Sequence, residues 1–282
     1  MPAFRLCGFA DEADSMLDGQ ISALRGNGMD LVELRGIDGK NVAALTPKEA
    51  KETAQRLRDA GIGVWSVGSP IGKVDISSPA DDETDRFMRI LDTAVICGAE
   101  NIRLFSFYGT GGDSRYLDEV VRRLRTMLER SAGSGVTLCH ENEKGIYGDT
   151  ADRCAAIHEA LPGLRGVFDP ANYVQCGEDI LTAWEKLSGY IKYAHIKDAL
   201  PDGRVVPPGD GVGHLPELLP LFAGAGVGVL TLEPHLRVFK GLSSLEGGKR
   251  PPVGSDAVPQ FASGREAFDF AASKLRGLIS AL

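Results

Sequence analysis

A chain of 282 residues, 43% apolar and 25% charged, can bury the core of one large α/β domain, so its length does not force a second. A net charge of −8 and a pI near 5.2 argue against the clustered basic surface that nucleic-acid binding requires. No apolar run approaches the roughly 20 residues that span a bilayer, the start Met1–Leu6 lacks a signal-peptide layout, and five scattered cysteines contain no CxxC pair. These features predict a cytoplasmic protein with reduced thiols and neither a nucleic-acid nor a membrane partner.

The chain reads as alternating strands and helices. Phe4–Ala10 is a first strand, followed by the acidic cluster Asp11–Asp14 and a helix over about Leu17–Asn27 that turns Ile21 and Leu24 to a core. Strand two is Asp30–Arg35, with a loop from Gly36. Thr46-Pro-Lys-Glu49 combines an N-cap, a first-turn proline and a capping-box glutamate, and predicts a helix to about Asp59. Ile62–Val67 is strand three. Asp81–Cys97 is helical by period, with Phe87, Ile90, Leu91, Ala94 and Val95 as its apolar stripe. Asn101–Phe107 is strand four, before a long helix over Ser114–Ala132.

Four apolar runs follow, each ending in a side chain able to bind a metal: Val136–Glu141, Leu164–Asp169, Ile191–His195 and Val229–Glu233. Helices near 150–160, 179–187 and 215–222 separate them. A last helix over Arg265–Leu278 turns Phe268, Phe270, Ala271 and Leu275 inward. Between strand eight and that helix, 236–264 is rich in Gly, Pro and Ser. A stretch of that length in a compact domain reads as a lid over the active-site end, with a disordered loop as the alternative.

Eight strand–helix units with short connections demand a parallel sheet. A doubly wound sheet normally carries GxGxxG after strand one, and here that turn reads Ala10–Ser15 without it. The prediction is therefore an α/β protein, a single-domain (β/α)8 TIM barrel spanning 1–282. In such barrels the active site lies at the strand C-termini.

Taken singly, Glu141, Asp169, His195 or Glu233 reads as a solvated loop residue or a cap. Four in register at strand ends point to a metal site. Strand alternation places Thr137, Cys139 and Glu141 on one face, as it does Val167 with Asp169, Tyr193 with His195, and Thr231 with Glu233. Three carboxylates and an imidazole suit one divalent cation, Mn²⁺ first, then Mg²⁺, Co²⁺ or Zn²⁺. Without a cation the carboxylates are expected to raise one another's pKa. His140, Glu143, Lys197 and His235 are candidate substrate contacts, with solvated surface residues as the alternative. Glu33 shares a face with Arg35 and either pairs with it or reaches substrate. His158 reads as structural.

The chain resembles the xylose-isomerase-like TIM-barrel superfamily, in particular its D-tagatose 3-epimerase-like and hydroxypyruvate-isomerase-like branch. The resemblance rests on His140-Glu-Asn-Glu143, Phe168-Asp-Pro-Ala-Asn172, His195-Ile-Lys-Asp198, Gly209-Asp-Gly211 and Leu232-Glu-Pro-His235. It implies that Glu141, Asp169, His195 and Glu233 are the metal ligands and that Glu141 and Glu233 also exchange protons with the substrate. Two positions depart from the family pattern. Glu143 stands where many relatives have His, and Asn172 where ketose 3-epimerases have His, both at substrate-contacting positions.

The expected activity is metal-dependent isomerisation or epimerisation of a sugar, sugar phosphate or keto-sugar through an enediolate. Two carboxylates on opposite faces of a planar intermediate give epimerisation, whereas one that moves a proton between neighbouring carbons gives isomerisation. The alternatives are a dehydratase or lyase acting on a keto-sugar or inosose, and a non-catalytic sugar-binding or partner subunit. Lys249 and Arg250 are the nearest candidates for a phosphate clamp, against a reading as a solvated loop pair. A carbohydrate is the expected small-molecule partner, and a homodimer is the default assembly.

Overall fold

The computed structural model describes residues 4–237 and 260–282. The greater part of the predicted lid, with Lys249 and Arg250, lies outside the described residues. Eight parallel strands close into a barrel: β1 (Arg5–Gly8), β2 (Leu31–Leu34), β3 (Gly63–Gly68), β4 (Asn101–Leu104), β5 (Thr137–Glu141), β6 (Arg165–Phe168), β7 (Ile191–Ile196) and β8 (Val229–Leu232). Each pairs with its neighbours in sequence, and β8 closes the ring on β1 with Arg5 opposite Val229 and Gly8 opposite Leu232. The single-domain TIM barrel is thus the observed fold.

Helices α1 (Leu17–Gly26), α2 (Pro47–Asp59), α3 (Ala80–Cys97), α4 (Leu117–Ser131) and α5 (Ala151–Ala160) cross over between the first strands. Helices α6 (Pro170–Cys176), α7 (Ile180–Leu187), α8 (Leu215–Gly224) and α9 (Gly264–Ser280) complete the outer ring among the described residues. The capping box before α2 forms as read, with Thr46 accepting from the Glu49 amide and Glu49 reaching back. Among the described residues, no helix is long and apolar enough to cross a membrane.

Strand alternation fills the barrel as expected. Cys7, Leu31, Trp65, Cys139, Val167, Tyr193 and Val229 form a separate interior cluster. Cys139, Val167 and Tyr193 each lie two residues before a candidate ligand, and Val229 lies four before one. The period of two therefore carries Glu141, Asp169, His195 and Glu233 to the layer above the interior cluster.

Two side chains of the predicted helix stripes are not inside. Val95 is 51% exposed and Phe270 37% exposed. At 100° per residue Val95 falls at the edge of the stripe centred on Phe87, Ile90 and Ala94, and Phe270 lies on the far side of α9 from Phe268. Phe270 packs instead on Phe261, with ring centroids 5.4 Å apart. Strand four is also shorter than its apolar run. Its ladder ends at Leu104, and the backbone amides of Phe105 and Phe107 donate instead to Ile71 and Gly72.

Small elements decorate the C-terminal face. The segment after Arg35 is a hairpin, with Gly36–Ile37 antiparallel to Lys40–Asn41, rather than an open loop. A second hairpin pairs Asp198–Ala199 with Val205–Val206. Asp198 anchors the following turn: Oδ1 accepts from the amides of Ala199 and Gly213, and Oδ2 from those of Gly209 and Gly211. A Cβ on Gly211 would fall 2.2 Å from Asp198 Oδ1, which explains the glycine. This carboxylate ties the end of β7 to the loop beside it. Asp198→Asn keeps the shape but turns an amide N–H₂ toward two backbone N–H groups. Urea unfolding should show a loss of about 3 kcal/mol, and unchanged stability would contradict the role assigned to Asp198.

Candidate metal centre

Glu141 is the last residue of β5, and Glu233 follows β8 directly. Asp169 follows β6 and is the N-cap of α6: its Oδ1 accepts from the Asn172 amide at 2.9 Å, and Pro170 opens the helix. That bond fixes the carboxylate, and Oδ2 is buried facing the Lys197 ammonium at 2.9 Å. Asn142 ties the ends of β5 and β6 by accepting from the Asp169 amide and donating to the Asp169 carbonyl, each at 2.9 Å. His195 rises from β7 with no exposure.

One donor atom from each of Glu141, Asp169, His195 and Glu233 lies within 4.8 Å of the others. A cation with bonds of about 2.1 Å places opposed ligands about 4.2 Å apart, so this spacing suits one ion after a small contraction. The imidazole is oriented for ligation. Its Nδ1 faces Glu141 Oε1 at 2.9 Å and Glu233 Oε2 at 3.5 Å, while Nε2 lies 3.2 Å from Glu33 Oε2. With a cation bound, a proton on Nε2 donated to Glu33 would leave the Nδ1 lone pair toward the cluster, the arrangement that tunes histidine ligands. Glu33 is in turn fixed by the Tyr193 hydroxyl at 2.9 Å.

The expectation that three carboxylates raise one another holds only at Asp169, where burial wins over Lys197 and lifts the carboxyl to about 6. Burial also opposes charge on Glu141 and Glu233, but His195 and Arg103 hold the first below its ordinary value, and Lys197, His235, His195 and Arg35 hold the second well below. Burial disfavours the imidazolium of His195, yet Glu141 and Glu33 outweigh it and raise that group well above its usual range. The chain's own cations thus supply much of the compensation. Lys197 Nζ stands 2.9 Å from Asp169 Oδ2 and 3.3 Å from Glu233 Oε2. Arg35 donates to Glu233 Oε1 at 2.8 Å while held by Asp11 and Glu12.

The sequence-predicted contacts separate into groups. Glu143, Lys197 and His235 line the same polar cavity as Glu141 and Glu233. Glu143 pairs with Lys73 at 3.0 Å, and against the cost of burial Lys73, Lys144 and Lys197 bring it down to about 2. His235 has a left-handed backbone, φ 46°, held by its amide donating to Glu12 Oε2 at 2.7 Å. Asn172 sits behind the four clustered donors, donating to the Asn142 carbonyl at 2.9 Å and 3.4 Å from Glu141 Oε1. Glu33 lies beneath His195.

His140 points to the other face of β5, edge-on to His158 of α5 at 5.9 Å. Sequence reading passed over Lys73, Arg103 and Phe105, which also line the cavity. An arginine between Ile102 and Leu104, inside an apolar strand run, was the available signal for Arg103. Lys73 came from a turn with no pattern to mark it.

His158 is structural, as read. It stacks on Tyr190 at 4.9 Å, Nδ1 meets the Leu164 carbonyl at 3.2 Å, and burial lowers its pKa from 6.5 to about 4. Because the unfolded chain takes up this proton first, stability is whole above pH 6.5 and falls as pH drops toward 4. Wild-type protein should therefore lose about 2 to 3 kcal/mol more than His158→Phe between pH 7 and 4.5, by urea unfolding at each pH. Parallel curves would show that His158 is protonated in the fold.

A family model described as xylose isomerase-like TIM barrel matches residues 21–250. No curated protein sequence matches significantly. Solved structures similar to this chain include a D-psicose 3-epimerase with D-tagatose from Clostridium cellulolyticum H10 (14% identity, 98% of each chain, TM-score 0.74). Another is a probable 3-DHS dehydratase, AsbF, from Bacillus anthracis (16% identity, 98% of each chain, TM-score 0.72). The IolI protein with a bound zinc atom matches at 14% identity over 98% of each chain, TM-score 0.74. At these identities the likeness establishes the fold alone.

Proposed function

The chain belongs to the xylose isomerase-like TIM barrel family, and from that membership we propose a divalent-metal-dependent sugar isomerase or epimerase that removes a proton next to a carbonyl. The observation that carries this reading is the convergence of Glu141, Asp169, His195 and Glu233 within 4.8 Å at the C-terminal ends of four barrel strands. In this reading the four residues hold one cation, Mn²⁺ by preference for a hard, oxygen-rich donor set, with Mg²⁺, Co²⁺ or Zn²⁺ as substitutes. When bound, that cation supplies Lewis-acid stabilisation of the negative charge developing on the carbonyl and neighbouring hydroxyl oxygens.

The chain's own groups do the proton work. Glu141 and Glu233 approach from β5 and β8, with β6 and β7 between them, so they can face a planar enediolate from two sides. Both have ionised forms favoured by surrounding cations, as a base requires before it accepts a proton. Asp169, pinned by the Asn172 amide, and His195, pinned by Glu33, are ligands only. Glu143, Lys197 and His235 contact the substrate from the cavity wall, Glu33 and Asn172 act from behind it, and His140 stays on the outer face of β5 beside His158. The proposed setting is a cytoplasmic enzyme of carbohydrate metabolism, with a homodimer as the assembly to test.

Dehydration of a keto-sugar is the second reading, favoured by the structural likeness to a probable dehydratase. The same enediolate loses a β-hydroxyl rather than regaining a proton. NMR of keto-sugars with Mn²⁺-loaded protein in D₂O separates these outcomes, since one gives a deuterated sugar of unchanged composition and the other a dicarbonyl product that has lost one hydroxyl as water. Glu233→Gln should reduce deuterium incorporation by about a hundredfold or more. Undiminished exchange would remove Glu233 from the role of base. Purified protein reconstituted with Mn²⁺ should hold about one equivalent, and less than about half would count against the metal reading.

A further inference from the structure

Three arginines among the described residues are buried: Arg35, Arg103 and Arg123. Arginine carries five donors in a rigid fork and stays charged inside proteins. Arg35 spends its donors on Asp11, Glu12 and Glu233, and Arg123 on Glu119 and the carbonyls of Ile76 and Ser78. Arg103 differs. Its Nε is buried without a hydrogen-bond partner, at 3.3 Å from Glu141 Oε2, and no described residue accepts from its terminal nitrogens.

Arg103 nevertheless has a fixed position. It is 2% exposed and lines the cavity, with its guanidinium carbon 4.3 Å from the Phe105 ring centroid and 5.7 Å from that of Phe9. Aromatic faces orient a guanidinium without consuming its donors. The Lys73 ammonium shares the Phe105 ring at 4.4 Å and lines the same cavity. Unsatisfied charged donors are costly to bury, and two parallel acceptors on one planar group match the fork better than separate waters do.

We propose that Arg103 recognises an oxyanion carried by the substrate, a carboxylate or a phosphate, bound through both arms of its fork. This proposal rests on the metal-dependent reading above, because Glu141 sets the location. Arg103 touches Glu141, so the oxyanion sits within a few ångströms of the carbon whose proton Glu141 exchanges. A keto-acid or a ketose phosphate supplies the matching charge and a free ketose does not, which makes Arg103 a determinant of specificity.

Calorimetric titration of Mn²⁺-loaded protein with 2-keto-D-gluconate, D-fructose 6-phosphate and D-fructose tests this directly. At least one anion should bind about tenfold or more tightly than fructose, and the preferred anion identifies carboxylate or phosphate. Arg103→Gln should weaken that anion by about ten- to a hundredfold, and by at least about fivefold more than it weakens fructose. Arg103→Lys, which keeps the charge without the fork, should recover only part. The wild-type comparison stands even if a variant fails to fold. Neither anion binding more tightly than fructose, or Arg103→Gln weakening all three alike or none, would overturn the proposal. Metal content and C–H exchange are read separately, so an Arg103-dependent anion preference without them would fault the metal reading alone.

Discussion

The structure depends on one electrostatic constraint: Glu141, Asp169 and Glu233 are buried beside one another around His195. Carboxylates so close repel strongly once water is removed, and burial alone would drive them to their neutral forms. The fold answers with cations from three directions: Arg35 from the end of β2, Arg103 from β4 and Lys197 from just beyond β7. The result is near balance, with Asp169 as the one carboxyl of these three lifted toward neutrality. The divalent cation proposed for these donors would offset that remaining mismatch.

Polar support reaches below and behind the donors. The Glu33–Tyr193–Ser66 contacts under His195 and the Asn142–Asp169 exchange between β5 and β6 are all buried. Each fixes a ring or carboxylate orientation that a mobile side chain would lose, which is how a binding geometry is organised before ligand arrives. Asp198 does the same for backbone, gathering four amides beside the end of β7.

Much of this was legible in the sequence because it follows from short periods. The strand period of two marked the barrel interior and the layer of four polar donors above it, and Thr46-Pro-Lys-Glu49 wrote its own helix start. What the sequence hid depends on which strands become neighbours. Arg35 reaches Glu233 across 198 positions, and Tyr193 reaches Glu33 across 160. No local pattern records such pairs, so nothing in the sequence marked Glu33, read as a partner of Arg35 or a substrate contact, as a neighbour of His195. The helix after Asp169 was signalled by Asp-Pro, an N-cap followed by a first-turn proline, but its seven residues are too few for a periodic stripe. Val95 and Phe270 were misplaced because an apolar residue at the edge of a helix stripe, or behind it, looks the same in one dimension.

The proposed chemistry requires Glu141, Asp169, His195 and Glu233 to hold one cation together. Anomalous diffraction from crystals grown with Mn²⁺, recorded on both sides of the manganese edge, addresses it without reference to any substrate. One anomalous peak is expected within about 2.0 to 2.4 Å of a donor atom from each of the four residues, His195 contributing Nδ1. No peak there, or manganese bound elsewhere with Lys197 still bridging Asp169 and Glu233, would contradict it.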